Sequence, residues 1–235
     1  MLSKQIKFNH QNIEINYRDD SDLSVIDEIF VDKMYRSTEN IILDNKNCIL
    51  DIGAHIGLFS IYASVLNPKV KIIALEPEPS NFALMKENLK LNHCKNVVVK
   101  QTALIASEES EVTLQLSKNS HNHIVPLLNC YIVDPANKEI EVSATNLEKM
   151  ILKNKLDKIG LLKMDIEGAE FEIFENVEDG ILNIVENIAV EYHETENNKH
   201  IDLENIFRSH GFSVEHFPNH YDKKFGLLLC RNKKI

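Results

Sequence analysis

The chain has 235 residues, 43% of them hydrophobic and 26% charged, which are the proportions of an ordinary globular protein and enough length to bury one large α/β core. Its net charge of −10 disfavours long nucleic acid, whose phosphates ask for a basic face, and suits a neutral small molecule or glycan better. No run approaches the ~18 apolar residues that span a bilayer, the segment Met1-Leu-Ser-Lys-Gln-Ile-Lys-Phe lacks the apolar core of a signal peptide, and Cys48, Cys94, Cys130 and Cys230 form no C-x-x-C pair, so a reduced, cytoplasmic setting is expected.

In chain order, residues 1–40 read as an N-terminal extension of strands and a helix covering a pocket, and 41–235 as the main domain. Ile26, Phe30 and Met34 recur at i, i+4, i+8, a stripe that packs on a sheet. The next segment, Cys48-Ile-Leu-Asp-Ile-Gly-Ala-His-Ile-Gly57, reads as a buried strand, a glycine turn and a helix start. Helical patterns follow over 61–66 and over 82–91, where Phe82, Met85 and Leu89 share a face, Pro79-Ser80 marks the start and Asn92 the end. Apolar runs at 47–52, 70–75, 95–101, 160–165, 186–192 and 225–230 read as strands, and another helix includes 204–210. An irregular insert at about 106–147 holds an extra strand near Glu108 and a polar loop at 117–128.

Alternation of this kind implies a doubly wound, mostly parallel sheet with helices on both faces. Near the end the alternation breaks. Residues 212–217 and 225–230 are joined by Pro218-Asn-His-Tyr-Asp-Lys-Lys, a hairpin whose antiparallel strand pair closes the sheet at its edge, giving seven strands in all.

The turn chemistry points to a nucleoside. Gly53 at a strand end lets backbone approach a ligand, and Glu76, about 20 residues on and followed by Pro77, can accept both ribose hydroxyls. A dinucleotide site carries G-x-G-x-x-G, whose second glycine admits a pyrophosphate. Here the spacing is Gly53-x-x-x-Gly57, which argues against a dehydrogenase and for S-adenosylmethionine (SAM), a nucleoside without pyrophosphate. The plain alternative is that both glycines only allow tight strand-to-helix packing.

Two further segments, Leu161-Leu-Lys-Met-Asp-Ile-Glu-Gly-Ala-Glu170 and Ile188-Ala-Val-Glu-Tyr-His-Glu194, end apolar runs in acids, where open α/β sheets carry their ligands. Taken in order with the glycine turn and Ala74-Leu-Glu-Pro-Glu-Pro79, they resemble the FkbM-type methyltransferases from about Asp22 almost to the C-terminus. The resemblance implies a Rossmann-like class I methyltransferase that moves a methyl group from SAM to a hydroxyl of a sugar, glycan or secondary metabolite. It implies that Asp51, Gly53, His55 and Gly57 line the methionine end of SAM, that Glu76 holds the ribose, and that Gln101, Thr102 and Ala103 lie near the adenine. The family more often has Asn where this chain has His55, although an imidazole can still donate one hydrogen bond and accept another.

Transfer to a hydroxyl needs alignment with the methyl group and removal of a proton, and Asp165, Glu191 and His193 are the candidates for the proton; His193 needs the least tuning. Asp165 and Glu167 also suit a helix start near Gly168, where acids favour the dipole. Oxygen ligands on adjacent strand ends would equally suit Mg²⁺, with Asp165 and Glu191 first to test. The family likeness brings His121 or His123, and Tyr35, near the substrate, while His93 reads as a surface residue. Alternatives are methyl transfer to another acceptor, or a non-catalytic SAM-binding protein. The Asn/Asp-Pro-Pro-Tyr/Phe stretch of adenine N-methyltransferases is absent. Oligomeric state is not legible.

Overall fold

The computed structural model describes residues 1–116, 138–178 and 180–234. The chain opens with a hairpin, β1 (Leu2–Phe8) and β2 (Gln11–Tyr17), whose turn residues Asn9 and His10 take φ of 45° and 62°. These are the left-handed conformations a two-residue hairpin turn demands. Helix α1 (Asp20–Phe30) follows, capped by the Asp19 carboxylate on the Asp22 amide, and a short 3₁₀ turn at Met34–Thr38 leads into α2 (Glu39–Asp44). The helical stripe therefore stops at Phe30: Ile26 and Phe30 are buried from α1, while Met34 reaches the same core from the 3₁₀ turn.

Then come β3 (Cys48–Ile52), α3 (Leu58–Leu66), β4 (Ile72–Leu75), α4 (Pro79–Leu91), β5 (Val97–Lys100), β6 (Ala103–Leu104), β7 (Glu111–Leu116) and β8 (Lys138–Thr145). The second half holds α5 (Leu147–Asn154), β9 (Ile159–Met164), α6 (Glu170–Glu175), β10 (Asn187–His193), α7 (His200–Ser209), β11 (Phe212–Pro218) and β12 (Phe225–Asn232). The main sheet has seven strands in the order β5-β4-β3-β9-β10-β12-β11. β12 runs antiparallel to both β10 and β11. The antiparallel strand is thus not the outermost one. The hairpin folds back so that its second strand enters beside β10 and its first is left at the edge.

Period-two alternation along the buried strands sends neighbours to opposite faces. Ile49, Ile72, Ala74, Leu161 and Leu229 join the core under α1 to α4, while Leu50, Ile73, Leu162, Val190 and Leu228 join the core under α5 to α7. The N-terminal hairpin is bound to this frame through α4. Asn88 accepts from the Asn16 amide at 2.8 Å and donates to the Asn16 carbonyl at 3.1 Å, and Asn92 does the same for Glu14 at 3.0 and 2.8 Å. Two side-chain amides thereby satisfy backbone groups of β2 that have no strand partner on that side. β6, β8 and β7 form a separate three-stranded sheet beside the C-terminal end of β5. Among the described residues no helix is long and apolar enough to cross a membrane. Residues 117–128, with His121 and His123, lie outside the described residues, as does Cys130; Cys48, Cys94 and Cys230 are free and buried.

Candidate active site

Strand β3 ends in a turn that only glycine can make at its first position. Gly53 has φ +75°, and a Cβ built there would lie 1.8 Å from the carbonyl oxygen of Asp165 at the end of β9. The two parallel strand ends are therefore closer than any side chain allows. His55 follows with φ 50°, and Gly57, φ +90°, caps α3 with no side-chain hydrogen bond; a Cβ on Gly57 would meet Met85 Cγ at 2.9 Å.

The turn faces Glu76, which leaves the end of β4. Glu76 is buried and accepts from the backbone N–H of His55 (2.8 Å), from the N–H of Glu78 (3.0 Å) and from the Asn81 amide (3.4 Å). Burial pushes its pKa up, and the charge of His55 and these hydrogen bonds pull it part of the way back, leaving it above the ordinary glutamate value. Glu78 caps α4 by accepting from Ser80 and Asn81 amides. The chain from β4 into α4 is thereby locked by two carboxylates, of which Glu76 faces a cavity.

That cavity, about 240 Å³, lies over the C-terminal ends of the central strands. One side is formed by Gly53, His55, Glu76, Asn81, Thr102 and Ala103, with apolar walls from Leu75, Leu104 and Leu114. The opposite side carries Asp165, Glu167, Glu191 and His193, with Glu28 reaching in from α1. Three of the residues expected to hold the cofactor are not in the wall. Asp51 is fully buried beneath it, accepting from Ser60 Oγ at 2.6 Å; Gly57 sits behind at the α3 terminus; Gln101 is exposed beyond it.

Beneath the floor lies a group that sequence reasoning passed over. Lys163 is the residue paired with Asp51 in the β3–β9 register, and its Nζ stands 3.3 Å from Asp51 Oδ1 and 3.7 Å from Asp165 Oδ2 while donating to the Gly53 carbonyl at 2.9 Å. Burial disfavours its charge, but Asp51, Asp165 and Glu191 outweigh that and raise its pKa. The signal was present as two opposite charges, each inside an otherwise apolar run, at facing positions. Tyr35 is also buried, edge-on to Phe59 with ring centres 4.8 Å apart, and lines a smaller adjoining cavity with Lys163, Asp165 and Glu191. His93 is exposed in the turn after α4.

His193 is the hub of the acidic side. It is buried, with Nδ1 3.3 Å from Glu170 Oε1 and Nε2 3.6 Å from Glu167 Oε2 and 4.0 Å from Asp165 Oδ1. Burial opposes its charge, yet Glu170 first, then Glu167 and Glu191, raise its pKa well above the usual histidine value. The upward shift makes this imidazole a histidine that holds its proton more tightly than its residue type suggests. The pKa values of its neighbours rise as well, but there burial is the cause, since it disfavours the charged carboxylate. Burial, reinforced by the surrounding acids, lifts Glu191 well above the carboxylate range, Glu28 from 4.5 to about 7 and Glu167 from 4.5 to about 8. Glu170, wholly buried, accepts from the Ile166 amide at 2.8 Å and was not singled out from sequence; the short helix it begins hides it under the turn.

These shifts have a sign for stability. Glu28, Glu167 and His193 all bind protons more tightly folded than unfolded, so their contribution is complete below the unfolded pKa values and is lost as pH rises through the folded ones. The unliganded protein is expected to melt at progressively lower temperature from pH 5 to pH 8, and Glu28→Gln with Glu167→Gln to flatten that slope; scanning calorimetry across the range checks it, and a rising melting temperature would contradict it.

A seven-stranded sheet in this order, with an antiparallel strand inserted next to the edge, a glycine turn after its central strand and an acid after the next, is the Rossmann-like fold of methyltransferases. The model of the Methyltransferase FkbM domain matches residues 51–214, and the chain belongs to that family of methyltransferases. It is similar to Methyltransferase 1 of Beauveria bassiana (strain ARSEF 2860), 25% identical over 206 residues covering 80% of this chain and 79% of that protein. It is likewise similar to the 31-O-demethyl-FK506 methyltransferase FkbM of Streptomyces tacrolimicus, 26% identical over 211 residues and 80% of each chain. Among solved structures an rRNA methylase from Streptococcus thermophilus superposes with a TM-score of 0.52 at 10% identity, covering 85% of this chain and 96% of that one, a likeness of fold alone.

Proposed function

We propose that this chain transfers a methyl group from SAM to a hydroxyl of a small molecule, such as a sugar, a glycan or a secondary metabolite. The observation that carries the reading is the division of one cleft into two chemically different walls: a nucleoside-type wall of Gly53, His55 and Glu76, and an acidic wall of Asp165, Glu167, Glu191 and His193. Glu76, with both oxygens already oriented by backbone N–H groups, has lone pairs left for two ribose hydroxyls. Thr102, Ala103, Leu104 and Leu114 supply a flat, mostly apolar surface for the base. Asp51 acts from below, since with Lys163 it fixes the Gly53 carbonyl at the methionine end.

On the acceptor side, Asp165 takes the hydroxyl proton as the oxygen attacks the methyl carbon and the C–S bond breaks, leaving S-adenosylhomocysteine. Its carboxylate stands between Lys163 and His193, 3.7 and 4.0 Å away, which fix its position toward the acceptor. Glu167, its pKa pushed up to about 8, holds a proton near neutrality, and it and Glu191, also shifted upward by burial, orient the acceptor by hydrogen bonds. Asp165, Glu170 and His193 each bring a ligand atom within 4.8 Å of the other two. Mg²⁺, however, asks for an octahedron of oxygens, and a set that includes an imidazole nitrogen does not match that, so no step runs through the ion. The acceptor class is supported by the similarity to the Streptomyces relative, a 31-O-demethyl-FK506 methyltransferase.

Incubation with methyl-labelled SAM and a fractionated whole-cell extract, including small metabolites and glycan precursors, tests the whole reading; label confined to the nucleic-acid or protein fractions would overturn the acceptor class. Glu76→Ala is expected to weaken SAM by about 10- to 100-fold, the worth of hydrogen bonds to a charged acceptor, in isothermal titration. Unchanged affinity would remove Glu76 from the cofactor.

A further inference from the structure

A second cluster of potential ligands lies on the far side of β10, outside the cleft. His200 and Glu204 stand at i and i+4 on α7 and so share one helical face. His216 faces them from β11, against which α7 packs. One ligand atom from each of the three lies within 4.8 Å of those of the other two. The imidazole rings of His200 and His216 are 4.3 Å apart between centres.

The surroundings are those of a prepared metal site. A histidine that ligates a metal through one nitrogen normally donates its other N–H to a carboxylate or carbonyl, which fixes the tautomer and raises its basicity. Glu194 Oε1 sits 2.5 Å from His200 Nδ1, which leaves Nε2 as the lone pair turned away from that carboxylate. The Tyr192 hydroxyl lies 2.8 Å from His216 Nε2, and Arg208 donates to Glu204 Oε2 at 2.9 Å, leaving Oε1 for another partner. Each candidate ligand thus has its own polar support, and none of these residues touches the methyl-transfer cleft.

We infer that His200, Glu204 and His216 form a binding site for a divalent transition ion of the Zn²⁺ type. Two imidazoles and one carboxylate, with a fourth position left to water, are a familiar donor set for that ion, and imidazole nitrogen argues against Mg²⁺ or Ca²⁺. Closing the three ligand atoms around an ion clips α7 to the edge strand β11. The clip also bears on the cleft through β10: alternate residues of that strand face opposite ways, so Glu191 and His193 line the cleft while Tyr192 and Glu194 support the clip.

The test uses the full chain, stripped of metal and titrated with ZnCl₂ against a chromophoric chelator. One Zn²⁺ per chain is expected with sub-micromolar affinity, about 10- to 100-fold weaker in Glu194→Gln and weaker still in His200→Gln and in His216→Gln, but unchanged in His193→Gln. Co²⁺ should give the visible bands of a four-coordinate site, absent from either ligand variant. Zn²⁺ at about 100 times its Kd should raise the melting temperature of the wild type by roughly 5–10 °C and leave that of His200→Gln unmoved. His200 opens α7 and is partly exposed, so its variant folds even if His216→Gln, which also loses the Tyr192 bond, does not. Wild-type protein that takes up no ion, or ligand variants that bind like the wild type, would overturn the site; loss of binding in His193→Gln alone would move the ion to the cleft.

Discussion

Replacement of Asp165 by alanine is expected to lower kcat by about 10²- to 10⁴-fold, the range a positioned general base contributes, while SAM binds within a few-fold of the wild type. The split follows from placement. Asp165 stands at the end of β9 on the acidic side, 3.7 Å from Lys163 Nζ and 4.0 Å from His193 Nε2, whereas the expected ribose ligand Glu76 ends β4 on the opposite wall. Removal of the carboxylate leaves Lys163 and His193 beside the acceptor with nothing to receive its proton. Asp165→Asn separates charge from shape, since it keeps the volume and one acceptor oxygen and should be nearly as inactive. Single-turnover kinetics with saturating SAM, run beside calorimetric titration of the donor, is the measurement; normal turnover in Asp165→Ala would transfer the base role to Glu167 or Glu191.

The second large effect is structural. Gly53→Ala forces a side chain into a left-handed conformation, which costs about 1 kcal/mol or a little more, and sets its Cβ 1.8 Å from the Asp165 carbonyl. Only displacement of one parallel strand end from the other relieves that overlap. The loss should be roughly 3 kcal/mol or more, in the class reserved for strained backbone and core disruption, and it should abolish SAM binding together with turnover. Chemical denaturation of Gly53→Ala and Gly57→Ala side by side checks the argument. At Gly57 the obstacle is Met85 Cγ at 2.9 Å, the middle of a flexible side chain, so the second variant should be the less damaged.

Much of the frame could be read from residue order because strands buried on both faces are continuous apolar runs. Residues 47–52 and 160–165 were legible in this way, and they are β3 and β9 to within a residue or two at each end. The glycine turn and Glu76 were legible through ligand chemistry, and Pro79 and Asn92 marked the ends of α4. The lateral relations were not legible. Nothing in the spacing told that β12 enters between β10 and β11, since hairpin signals fix pairing but not which strand lies outside. Nor did residue type give the upward pKa shift of His193. Its behaviour is set by Glu170 and Glu167, which a tight turn with φ +58° at Glu167 folds back onto it. Glu28 was not singled out from sequence and is a wall of the cleft, because α1 lies across the strand ends and is tied there by Asp22, 3.1 Å from His55 Nε2.

The place of β12 also orders events during synthesis. β10 carries Glu191 and His193, yet the partner along its outer flank, from Phe225 onward, is translated after β11, which cannot join the sheet until that partner arrives. A nascent chain that has emerged only as far as α7 therefore offers the ribosome's surroundings a naked hydrophobic border, Ile188, Ala189 and Val190, in open register for a stray β-segment. Completion of the cleft wall and protection from such mispairing come together, when one late strand slots home.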